Sequence, residues 1–107
     1  MSNYFNTKRK ELQSRFEALP GIAKVYFQPP ENLKLKYPCI VYNVNNAMVN
    51  HADDYPYILH RRYEVTYITT DPESSIPDIL LKEFKYCSYD RRFVSDNMYH
   101  DVFTIYY

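Results

Sequence analysis

Thirteen tyrosines and six phenylalanines crowd into 107 residues that contain a single glycine and no tryptophan. Each fully buried ring removes roughly 150–250 Å² from water. A domain of this length hides only about two-thirds of the surface its unfolded chain exposes. One core cannot absorb every ring, so several must stand half-exposed. Tyrosine suits two such places: strand positions, where it is simply a good β residue, and surfaces where proteins meet. Residue chemistry leaves both readings open.

The remaining composition narrows the class. The length fits one domain, spanning 1–107, with a single core. Thirteen basic and thirteen acidic side chains cancel, so no global field draws the chain toward nucleic acid or anionic lipid. No apolar run approaches the ~20 residues that span a bilayer, and MSNYFNTKRKELQ lacks the apolar stretch of a secretory signal. Cys39 and Cys87 form neither a CxxC nor a disulfide framework. Buried free thiols and folding in a reducing cytoplasm are expected.

Periodicity predicts the elements. Phe5, Leu12, Phe16 and Leu19 share one face of a first helix. Its basic run (Lys8, Arg9, Lys10, Arg15) reads as a solvated face, and Pro20-Gly21 ends it. Strands follow at Ala23–Phe27 and, past the breaker QPPEN, at Cys39–Val44. Asn45 to Pro56 is a long polar insert without period. Ile58 to Thr70 alternates cleanly, with Tyr63, Val65 and Tyr67 directed at a core. Ser75-x-x-Asp78 reads as a capping box opening a second helix through Ile76, Ile79, Leu80, Phe84 and Cys87. Strands near Tyr89–Val94 and Tyr99–Tyr107, joined by Ser95-Asp96-Asn97, close the chain. The order α-β-β-β-α-β-β implies an α+β, two-layer domain with two helices on one face of a mainly antiparallel sheet. The last strand is apolar on both faces, which suits either a partner surface or the centre of the sheet.

Chemical signatures are sparse. His51, Asp53 and Asp54 cluster in the polar insert, but no HxH, HxxxH or HExxH accompanies them, so no metal site is expected. No GxSxG elbow occurs, and one glycine cannot build a phosphate-binding loop. Neither an enzyme nor a cofactor is expected. His60-Arg61-Arg62-Tyr63 and Tyr89-Asp90-Arg91-Arg92-Phe93 mix basic and aromatic residues as single-stranded nucleic-acid binders do. Strand alternation, however, sends each arginine pair to opposite faces beside Glu64 or Asp90. Ion pairs between strands or subunits are the preferred reading there.

The phrases KVYFQPPENLKLKYPCIVY, NHADDYPYILHRRYEVTYIT, DPESSIP and YDRRFVSDNMYHDVFTIYY, with this element order, resemble the tail-terminator (head–tail joining) proteins of long-tailed bacteriophages. Other phage neck or minor capsid proteins share this size and style. The resemblance implies a structural virion protein, made in the host cytoplasm and placed at the neck. Its copies would form a ring, a hexamer in that family, that stops growth of the tail tube. The ring would meet the tube protein on one side and head-connector proteins on the other. DNA would pass its lumen and touch it only passively; no membrane is involved. Ring interfaces are heterologous. The residues expected at subunit or partner contacts are His51, Asp53, Asp54, Tyr55, Tyr57, Arg61, Arg62, Arg91, Arg92, Tyr106 and Tyr107. A small single-stranded nucleic-acid-binding module is the alternative from another class.

Overall fold

A computed structural model describes residues 4–45 and 60–107. Helix α1 (Tyr4–Glu17) leads into β1 (Lys24–Phe27) and β2 (Cys39–Val44). Then come β3 (Arg62–Thr69), α2 (Ile76–Glu83), β4 (Cys87–Ser95) and β5 (Met98–Tyr106). The five strands form one sheet in the order β1-β2-β3-β5-β4. Only β1 and β2 run parallel; every other pairing is antiparallel. The α+β architecture and element order follow the sequence expectation.

Strand registers sort the side chains onto two faces. One face carries Val25, Ile40, Tyr42, Tyr63, Val65, Tyr67, Phe103 and Ile105, which share one buried cluster with Leu12 and Phe16 of α1 and Ile76, Leu80 and Phe84 of the α2 segment. Both helices therefore cover the same face, as helices of a two-layer domain must to bury their apolar stripes. Phe16 sits where three elements meet: its ring centroid is 5.2 Å from Tyr42 and 5.4 Å from Phe84. The Tyr42 hydroxyl donates to Gln13 Oε1 at 2.5 Å and accepts from Arg9 Nη1 at 3.3 Å. A tyrosine with no exposed surface thereby satisfies its polar end from the helix above it.

Of the local features, the end of α1 follows expectation and others depart from it. Gly21 has φ +76°, the left-handed conformation that only glycine adopts cheaply. The basic run of α1 is not a simple solvated face. Arg9 lies 4.6 Å from the Phe27 ring, Arg15 lies 4.2 Å from Phe84, and Lys8 lies 4.5 Å from Tyr107. The cations roof these rings. The expected capping box does not form either. Ser75 makes no side-chain cap bond. Instead Ser74 Oγ accepts from the Ile76 amide at 3.2 Å and pairs with the Tyr67 hydroxyl at 2.8 Å. Cys87 begins β4 and does not extend α2.

Candidate interaction surface

The second face of the sheet carries no helix. Registers lay its side chains in rows: Cys39, Ile68, His100 and Phe93 in one, then Val41, Thr66, Val102 and Arg91. Below them come Asn43, Glu64, Thr104 and Ser88, and last Arg62 opposite Tyr106. The upper half is apolar and the lower half polar. Burial and the neighbouring Cys39, Asp96 and Tyr26 raise the Tyr37 phenol above its ordinary pKa, and its ring stands beside that upper half. Lys36 N–H also bonds the Tyr26 hydroxyl at 2.9 Å. That bond ties the β1–β2 connection to the helix-free face, on which Tyr26 lies opposite Val41.

The two sheet edges are unlike. At β1, the Gln13 side chain of α1 donates to the Val25 carbonyl at 3.4 Å, so the helix attends that edge. At the other end stands β4, and nothing pairs with its outer side among the described residues. Every residue from Ser88 to Ser95 is exposed, including Tyr89 at 44%, Phe93 at 41% and Val94 at 63%. A long edge carrying large apolar side chains is an invitation to strand pairing. Its protection is partial: a register shift between Tyr89 and Arg91 leaves Asp90 out of the ladder. There Asp90 accepts from Thr104 Oγ1 at 2.7 Å.

Beneath this edge lies an ion pair of the sheet, the most tightly held among the described residues. Asp101 has no exposed surface. Arg92 Nε donates to Asp101 Oδ1 at 2.8 Å and Nη2 to Oδ2 at 3.1 Å. Tyr89 donates to Oδ1 at 2.8 Å, and Arg92 Nη1 reaches the Pro72 carbonyl at 3.2 Å. The hydrogen bond to Asp101 holds the Arg92 guanidinium above its ordinary pKa. This is the interstrand pairing that the basic–aromatic phrase suggested. It binds Arg92 to its own chain.

The residues picked out in the sequence separate under this geometry. His51, Asp53, Asp54, Tyr55 and Tyr57 lie outside the described residues. Arg61 works within the fold: its guanidinium sits 4.7 Å from the Phe5 ring, and its backbone exchanges bonds with Tyr107 at 3.1 and 3.0 Å. Burial pushes the adjacent Tyr63 phenol up, and Arg61 pulls it partly back. Tyr107 is held between the helices, with Phe84 at 6.1 Å and Arg15 Nη1 donating to its hydroxyl at 3.5 Å. Arg62 and Tyr106 share the lower helix-free face. Arg91 joins the exposed β4 edge outside that ion pair, 5.8 Å from the Phe93 ring. Phe93 itself stacks on His100 with centroids 4.6 Å apart and planes 18° from parallel.

Phe93 and Val94 are absent from the contact residues expected from the sequence, where the phrase Tyr89–Phe93 was read for its charges. The available signal was the β4 phrase itself: in YDRRFV polar and apolar residues fall on both faces, a pattern that suits an edge. Other features are plain. Burial raises the Cys39 and Cys87 thiols to about 11, far from reactive thiolate range. Among the described residues no three His, Cys, Asp or Glu side chains gather as a metal site, and no helix is long and apolar enough to cross a membrane. A groove of about 480 Å³ runs between the helices past Leu19, Ile79 and Phe84. Comparison of the chain with protein-family models, with curated proteins and with solved structures finds no match.

Proposed function

We propose that this chain is a structural assembly subunit of the tail-terminator kind, joining copies of itself and neighbouring virion proteins through surface complementarity, without catalysis. The observation that carries the reading is the β4 edge, where Tyr89, Phe93 and Val94 stand exposed on a strand whose outer side no described residue pairs. Aromatic side chains offered on a rigid element are what protein interfaces select. The helix-free face adds a second, half-apolar area beside it. The sequence resemblance supplies the particular setting, a ring that stops a tail tube and meets the head connector.

The nucleic-acid alternative gains little from this surface. The helix-free face carries Lys24, Arg62 and Arg91 against Glu64 and Asp90, a nearly balanced set. Its rings, Phe93 stacked on His100 and Tyr106 opposite Arg62, are separated by Thr66, Val102 and Thr104, so they form no continuous stacking track for successive bases.

The deciding experiment mixes purified protein with tail tubes and with head connectors, and follows mass and end-binding by sedimentation and electron microscopy. Rings at tube ends are expected. Binding to connectors alone would move the chain to another neck position. Binding to neither, with single-strand affinity that falls steeply with salt, would replace the structural reading.

A further inference from the structure

We propose that the free subunit forms a two-fold pair in which β4 of one copy adds antiparallel to β4 of a second, centred on Phe93. This concerns the free protein and does not rest on the tail reading.

The hairpin fixes which backbone groups are available. Asp96 and Asn97 have φ +52° and +62°, the two-residue turn whose twist suits a tight hairpin. Such a turn makes its closing pair, Ser95 and Met98, hydrogen-bonded, and bonded and non-bonded pairs alternate from there. By the register Ser95↔Met98, Val94↔Tyr99, Phe93↔His100, Arg92↔Asp101 and Arg91↔Val102, Ser95, Phe93 and Arg91 turn their N–H and C=O toward β5. Val94 and Arg92 turn theirs outward, to the side of β4 that no described residue pairs.

Symmetry then restricts the register. An isologous antiparallel pairing has its two-fold axis perpendicular to the sheet, so one residue must face its own copy. Centring on Arg91 or Arg92 sets two like charges directly opposite, which is unfavourable. Centring on Arg91 also runs the new ladder into the irregularity at Asp90. Centring on Val94 brings the turn into the ladder. Centring on Phe93 uses the whole regular stretch from Arg91 to Ser95. It places Arg92 opposite Val94 of the second copy, so the outward N–H and C=O groups of each meet. Arg91 falls opposite Ser95, and no cation faces a cation.

The side chains agree with that register. Phe93 would meet its copy as a non-hydrogen-bonded pair, where Cα atoms approach to about 4.5 Å and side chains are closest. Each Phe93 already stacks on His100, so a continuous row of rings would run across the axis. The exposed Val94 would pack beside Arg92, whose charge Asp101 already holds. An isologous contact closes after two copies. It therefore covers a hazardous edge without starting a fibre.

The test is mass by sedimentation equilibrium, joined to cysteine cross-linking under a mild oxidant. Wild type is expected at the mass of two chains, and Phe93→Glu, at an exposed position, at the mass of one with unchanged circular dichroism. Phe93→Cys should cross-link to a covalent dimer in high yield, while Arg91→Cys and Ser95→Cys alone stay at the wild-type background set by Cys39 and Cys87. A wild-type monomer at all concentrations overturns the proposal. So does efficient linkage through Arg91→Cys, which would mark a different register, or a dimer that Phe93→Glu leaves intact.

Discussion

Removing Arg92 should destabilise the fold more than neutralising its partner, although the two form one ion pair. Asp101 is wholly buried, whereas the Arg92 side chain keeps 35% of its surface exposed. In Arg92→Ala the carboxylate loses both guanidinium bonds, at 2.8 and 3.1 Å, and keeps only the Tyr89 hydroxyl. An uncompensated charge left in the interior costs about 3–5 kcal/mol. In Asp101→Asn the amide oxygen can still accept from Tyr89 and from Arg92, and the guanidinium can turn to water. That change forfeits one charge-assisted bond, about 1.5–3 kcal/mol. Replacing both, Arg92→Met with Asp101→Leu, should recover most of the loss, since the desolvation cost of the pair disappears with it. Urea unfolding followed by tyrosine fluorescence and circular dichroism measures all three. With a slope of about 1–3 kcal/mol/M for a small domain, Arg92→Ala should lower the midpoint by roughly 2 M. A loss under about 1 kcal/mol for Arg92→Ala, or a larger loss for Asp101→Asn than for Arg92→Ala, would refute the reasoning.

Three further outcomes follow from the same geometry. Phe16→Ala should cost about 3–5 kcal/mol, because the ring is fully buried between Tyr42 and Phe84; thermal or urea unfolding reads it. Gly21→Ala should cost about 1–2 kcal/mol through φ +76° alone, since an added Cβ would meet nothing within 4 Å; Gly21→Asn, better tolerated at positive φ, should recover part of it. Stability should fall as pH rises from about 9 to about 11, because the folded state holds the Cys39 and Cys87 thiols protonated up to about 11 while the unfolded chain releases them near 9. That contribution is fully present below pH 9. Cys39→Ala should flatten the decline in a series of urea curves across that range, and an unchanged slope would sink the assignment.

How far the residues announced this structure depends on whether each signal was local. The alternation of Tyr63, Val65 and Tyr67 named the buried face of β3, and Pro20-Gly21 located the end of α1, because period and backbone conformation are set within a few residues. The cap at α2 was misread for the opposite reason. Ser74 is chosen over Ser75 by the Tyr67 hydroxyl 2.8 Å away, a contact that only the folded sheet creates. The cations of α1 likewise looked solvent-bound until the rings of Phe27, Phe84 and Tyr107 came beneath them.

The last two strands show the limit most sharply. Both are nine residues long, and they form the two arms of one hairpin. In β5 the absence of a wet face was compatible with either a partner surface or an interior place, and its position between β3 and β4 explains it without a partner. In β4 the charges of Asp90, Arg91 and Arg92 drew attention, yet Arg92 is satisfied inside the chain and Asp90 is taken by Thr104. What remains outward beside Arg91 is the apolar surface of Phe93 and Val94 and the backbone between them. Strand order decides this, and strand order is a long-range property that no window of sequence contains. A charge in an edge strand can therefore be structural while the apolar residue next to it is the group that meets another molecule.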